Sequence, residues 1–204
     1  MYSILLVIIY IAFISLGLPD SVLGSAWPIM YTEMNVPVSY AGIVSTLICA
    51  CTIVSSMNVN RILSKLGTGL MTAISVAMTA IGLFGFAGSS SFAMLCVWAI
   101  PYGLGAGCVD AALNNFVALH YKSKHMSWLH CFWGVGATAG PYIMGLCLSG
   151  GMRWPSGYLI IGTLQAVLSI LLFLSLPLWK GSDTMQTDEK GNIKGSMSLL
   201  IRDF

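Results

Sequence analysis

Six apolar runs of about 20 residues each, the length that crosses roughly 30 Å of hydrocarbon, follow one another along this 204-residue chain. They lie at approximately 4–29, 40–60, 68–87, 92–119, 127–149 and 156–178. A backbone in lipid must satisfy its own hydrogen bonds, so only helices and closed barrels span a bilayer. Unbroken runs of this length predict helices, and the chain reads as an all-α membrane protein. Only 8% of its residues are charged, against about 25% in a soluble domain, and its mean hydropathy is +0.85. A net charge of +2 says little about partners, and nothing suggests a nucleic-acid surface.

Short polar connectors separate the runs: Tyr31 to Ser39, Arg61 to Gly67, Gly88 to Ser91, His120 to Met126 and Gly150 to Pro155. Trp27, Tyr31, Tyr40, Trp128, Trp154 and Trp179 fall near the ends of runs, as interfacial aromatic belts do. Arg61 and Lys65 occupy the second connector, Lys122 and Lys124 the fourth, and Lys180, Lys190, Lys194 and Arg202 the tail, leaving Arg153 alone on the other side. The positive-inside rule then places both termini in the cytoplasm, consistent with an even number of spans in a cell (inner) membrane. A cleavable signal is the alternative for the start of the chain, where Gly24-Ser25-Ala26 imitates a cleavage site. No Lys or Arg precedes that run, however, and it continues through Asp20, so it is taken as the first span. Cys49, Cys51, Cys96, Cys108, Cys131 and Cys147 lie in apolar runs without CxxC or Cys/His spacing, and read as small buried residues, not as disulfides or metal ligands.

Two runs carry a carboxyl. Asp110 stands in PYGLGAGCVDAALNNF, where Gly103, Gly107, Asn114 and Ala118 share its face of a helix. A small, polar stripe of this kind suits a neighbouring helix or a water-filled cavity, and an intramembrane ionisable residue marks function by default. The plain alternative is a neutral aspartic acid serving as packing glue. Asp20 follows Pro19 in FISLGLPDSVLGSAWP, with Gly17, Gly24 and Trp27 on its face, and the proline is expected to kink or interrupt the helix there. No Lys or Arg lies in any run to neutralise either carboxyl. The runs also divide three and three, each group opening on the run that holds an aspartate. An odd count inverts the second group relative to the first, and inverted three-helix repeats around a midplane site are the signature of a secondary transporter. The expected architecture is a six-helix bundle over 1–179, with repeats at about 1–91 and 92–179, followed by a polar cytoplasmic segment over 180–204.

In the fifth run, SWLHCFWGVGATAGPYIMG, one helical face holds His130, Trp133, Gly134, Ala137 and Pro141, while Gly136 and Gly140 form a small-xxx-small pair. His130, near a membrane end, is as well explained by packing as by function. Trp133 lies deeper and suits an aromatic cavity wall.

PDSVLGSAWP in the first run, GLGAGCVDAALNNFV in the fourth and HCFWGVGATAGPYIMG in the fifth together resemble the amino-terminal half of a major facilitator superfamily transporter, and within it the fucose permease group. The resemblance covers all six runs, half of the twelve spans of the family. It implies that acids in helices 1 and 4, here Asp20 and Asp110, face a central cavity and serve proton coupling and sugar binding. It also implies substrate-binding roles around Asn114 and its neighbour Asn115, and at His130 and Trp133, which replace the group's helix-5 amides. The helix-4 acid is glutamate in the sugar permease and aspartate here. The superfamily's helix 2–3 loop motif appears as NVNRILSKLGTG, with Asn60 in place of the usual Asp and with Arg61 and Gly67 kept.

The leading expectation is therefore half of a proton-coupled carrier for a neutral sugar or other small polar solute, working in the lipid bilayer with a second six-helix half and without a cofactor or bound metal. Desolvation disfavours a carboxylate's charge, so either acid could load and release a proton as access alternates. Acidic groups without cations disfavour an anionic substrate; a drug-type cation/proton carrier is the runner-up. An intramembrane hydrolase is a different class, but the chain lacks a GxS motif paired with a deep histidine, and GCVD only imitates the GxGD of aspartyl proteases. A non-transporting truncated remnant is the third alternative.

Overall fold

Pro19 decides the shape of the first membrane-embedded segment. The computed structural model describes residues 2–179, so the expected tail over 180–204 lies outside the described residues. Helix α1, Tyr2–Asp20, stops one residue after the proline, Ser21 interrupts it, and α2, Val22–Glu33, carries on. Proline lacks the N–H that would bond the carbonyl four residues earlier, here that of Ser15. That carbonyl instead accepts from Gln165 Nε2 at 2.7 Å, while Ser15 Oγ donates to Gln165 Oε1 at 2.9 Å. A buried glutamine on the last helix thus replaces the lost helical bond.

The remaining helices are α3 (Tyr40–Ala87), α4 (Phe92–His120), α5 (Ser123–Ser149) and α6 (Trp154–Leu174). Among the described residues, five helical stretches are long and apolar enough to cross a membrane, with α1 and α2 together forming the first. At 48 residues, α3 would be about 72 Å long if straight, more than twice the hydrocarbon thickness. It is not straight. Gly67 has φ 72° and ψ 165°, a conformation essentially open to glycine alone.

The pairings on either side of Gly67 show that the chain reverses there. Before it, Thr52 Oγ1 donates to the Gly103 carbonyl and Ser56 Oγ to that of Gly107, so residue numbers rise together and this limb is parallel to α4. Beyond it, Gly105 packs on Ser75, Gly82 on Tyr102 and Gly85 on Trp98, an antiparallel order. The expected connector from Arg61 to Gly67 is therefore helical up to the turn, because nothing in NRILSKL breaks a helix. Likewise α5 begins at Ser123, α6 at Trp154, and α2 runs on to Glu33, shortening the expected connectors there.

Glycine sets the closest approaches. A methyl at Gly136 or Gly140 would strike the carbonyl oxygens of Ile14 and Leu18, and one at Gly17 would strike Trp133 and Ala137 of α5. Helices α1 and α5 run parallel in backbone contact along this seam. The Gly103 and Gly107 stripe does the same against the first limb of α3.

Two large apolar clusters and a small third one around Val59, Met71 and Ala112 fill the bundle. Of the large ones, one gathers Phe13, Val76, Leu113, Phe116 and Trp179, and the other gathers Trp27, Phe86, Tyr102, Trp154 and Tyr158. Leu16 belongs to the first and Leu18 to the second, so the division falls at Gly17, close to Asp20. Beyond the second cluster, Glu33 accepts from Arg153 at 3.1 Å and from Trp154 Nε1 at 2.8 Å, fastening the end of α2 to the start of α6.

Candidate functional site

The break after α1 presents the Asp20 carboxylate sideways to its neighbours. Its Oδ1 accepts from the Tyr102 hydroxyl of α4 at 3.1 Å and its Oδ2 from Trp133 Nε1 of α5 at 2.9 Å. One side chain therefore joins three helices. Tyr102 is buried, whereas Asp20 and Trp133 are exposed along one open side of the bundle.

Asp110, half-buried on α4, accepts from Asn114 Nδ2 at 3.0 Å. The pair sits one helical turn apart, so the bond is built in by the sequence spacing. His130 of α5 meets Phe13 edge-on at a centroid distance of 6.3 Å. Asp20, Asp110, His130 and Trp133 line one cavity of about 330 Å³, with Thr52 and Ala106 among its other walls. Four residues drawn from three separate runs are thus brought together.

Asn114 touches this group through Asp110 and keeps its own Oδ1 buried, with no hydrogen-bond partner among the described residues. The hydroxyl of Tyr158 is in the same condition. Buried polar atoms are rarely left unpaired, and each costs about 1–3 kcal/mol. Asn115 is half-buried and is not among the residues lining the cavity. Nor are Asn60 and Arg61, which stand exposed on α3 ahead of the Gly67 turn. Among the described residues no three His, Cys, Asp or Glu side chains cluster in a way that could hold a metal ion.

Sequence reasoning overlooked Tyr102, Thr52, Tyr158 and Gln165. Tyr102 stands eight residues before Asp110, about two turns of helix, so helical spacing alone could have placed it on a related face. Gln165, an amide inside an apolar run, was a visible signal. Tyr158 gave none, because a tyrosine near a run's end reads as an interfacial anchor.

Two carboxyls on one cavity wall, interleaved with indole, imidazole and hydroxyl groups, can hold a solute by hydrogen bonds and exchange protons. No curated protein matches the chain's sequence. The family model described as the Major Facilitator Superfamily matches residues 9–200, nearly the whole chain, and the chain belongs to that superfamily of membrane transporters.

Proposed function

We propose that the chain is half of a secondary active transporter that moves a neutral sugar or other small hydroxylated solute together with protons by alternating access. One observation carries this reading: Asp20 and Asp110 line the same cavity, and among the described residues no Lys or Arg lines it with them. Two carboxyls repel an anion, whereas a hydroxyl can donate to a carboxylate and accept from an indole or amide. Asp20, already oriented by Tyr102 and Trp133, acts as solute ligand. Asp110, with a single side-chain donor in Asn114, carries the proton. His130 and Trp133 complete the solute's contacts.

In this reading α1 with α2 makes the first membrane passage, the two limbs of α3 the second and third, and α4, α5 and α6 the rest. The passages form two inverted triples, with both termini in the cytoplasm and the chain in a cell membrane. A second six-helix half covers the open side. That half is a separate chain, another part of the same chain or a second copy. Support comes from cost: an aspartate left to lipid is unfavourable by about 2.5–3.5 kcal/mol on insertion scales, and Asp20 is on the open side.

The test is uptake by proteoliposomes holding the complex purified from native membranes through a tag on this chain. Labelled D-glucose, D-galactose and myo-inositol are offered under an imposed inward proton gradient. Accumulation of at least one, abolished by a protonophore, is expected. Gradient-driven movement of tetraphenylphosphonium instead would favour the drug-type alternative, and no flux of any probe would overturn the reading.

A further inference from the structure

On the other side of Asp20 lies a second cavity, of about 360 Å³, that shares Asp20, Ile48 and Thr52 with the first. We propose that this cavity is a subsite for one hydroxylated ring, with the Tyr158 hydroxyl as its unshared donor and Asp20 as the anchor common to both cavities. The proposal deepens the function above and rests on it in taking the solute to be hydroxylated.

The walls suit such a ring. Phe86, Tyr102 and Tyr158 line it together, with Phe86 tilted against Tyr102 at 5.8 Å and against Tyr158 at 5.6 Å between ring centroids, so one wall is aromatic edges, suited to the C–H groups of a sugar. Ser45, Thr52 and Asp20 supply polar atoms along the other walls. Tyr102 spends its hydroxyl proton on Asp20. Tyr158 spends its proton on nothing among the described residues, although the side chain is only 2% exposed. A buried O–H without an acceptor calls for a ligand atom with a lone pair. An ammonium has none, and a carboxylate or phosphate would meet Asp20. A hydroxyl can accept from Tyr158 and donate to Asp20.

Space is also left for the ligand. Gly24 lines this cavity, and a methyl added there would meet no atom within 4 Å. Gly17, by contrast, is filled in by Trp133 and Ala137. Cys49, an exposed free thiol, lines the same cavity and can report on its occupancy.

The experiment alkylates the native complex with N-ethylmaleimide, with and without D-glucose, D-galactose or myo-inositol, and quantifies Cys49 by mass spectrometry. At least one probe is expected to slow Cys49 alkylation threefold or more. In Tyr158→Phe the same protection should need about 3- to 10-fold more probe, the loss of one hydrogen bond. The probe-free variant should melt no lower than the parent, since it loses only an unpaired group. Gly24→Leu fills the space and should abolish protection. If a transported probe leaves Cys49 alkylation unchanged, or protects Tyr158→Phe at the parent's concentration, the subsite is refuted while the transport function stands. If no probe is transported and none protects, both fall.

Discussion

Gln165 shows how much one side chain can settle in a bundle that lipid surrounds. It is 1% exposed, and it gives and receives a hydrogen bond at Ser15, where Pro19 has removed a helical donor. Gln165→Leu leaves the Ser15 carbonyl unpaired, which should cost about 1–3 kcal/mol and appear as a lower melting temperature in detergent. The two aspartates invite a paired test. Asp110→Asn keeps the shape of the protonated acid but carries no exchangeable charge. It is expected to abolish proton-driven accumulation in the complete complex while leaving solute binding and downhill exchange. Asp20→Asn disturbs the acceptor held by Tyr102 and Trp133, and should weaken binding itself by about tenfold or more, as hydrogen bonds to charged groups contribute about 1.5–3 kcal/mol. Accumulation against a gradient by Asp110→Asn would remove Asp110 from the coupling role.

Helices here meet where glycine lets them. Lipid provides no hydrophobic drive for helix association, so close packing and interhelical hydrogen bonds must hold elements together. The α1–α5 seam places Gly136 and Gly140 against the carbonyls of Ile14 and Leu18, and the same seam brings Trp133 to Asp20. Gly136→Leu forces the helices apart, and overpacking of this kind costs about 1–3 kcal/mol or more. The expected outcome is a lower melting temperature together with weakened solute binding, because the indole leaves the carboxylate. Gly134→Ala is the control: a methyl there meets nothing within 4 Å, and both measurements should stay near the parent's values.

At the scale of the molecule, charge separates the two ends of the bundle. The parallel pairing of the first α3 limb with α4 puts Arg61 and Lys65 at the end that carries Lys122 and Lys124. Arg153 pairs with Glu33 beyond the opposite apolar cluster. With Arg153 75% exposed, that ion pair contributes at most about 1 kcal/mol. The expected topology puts Arg153 outside the cytoplasm. A cysteine introduced by Ser156→Cys should then react with an impermeant thiol reagent added outside cells, and reaction only from the cytoplasmic side would reverse the assignment.

The helical class, the membrane-embedded character and the two carboxyls were legible in the sequence because each follows from local chemistry: run length against bilayer thickness, and the cost of a charge among apolar residues. The interruption at Asp20 was legible for the same reason, since a proline acts on its own helix. The reversal at Gly67 was legible only in outline. A glycine after basic residues marks a turn, but the helix running up to it through Arg61 and Lys65 depends on no breaker being present. Tertiary structure alone decided which residues share a cavity. The junction of Asp20, Tyr102 and Trp133, and the placing of Tyr158 in the second cavity, depend on helices far apart in the chain meeting at glycines. Periodicity fixes the face a residue occupies on its own helix, but not which helix that face meets.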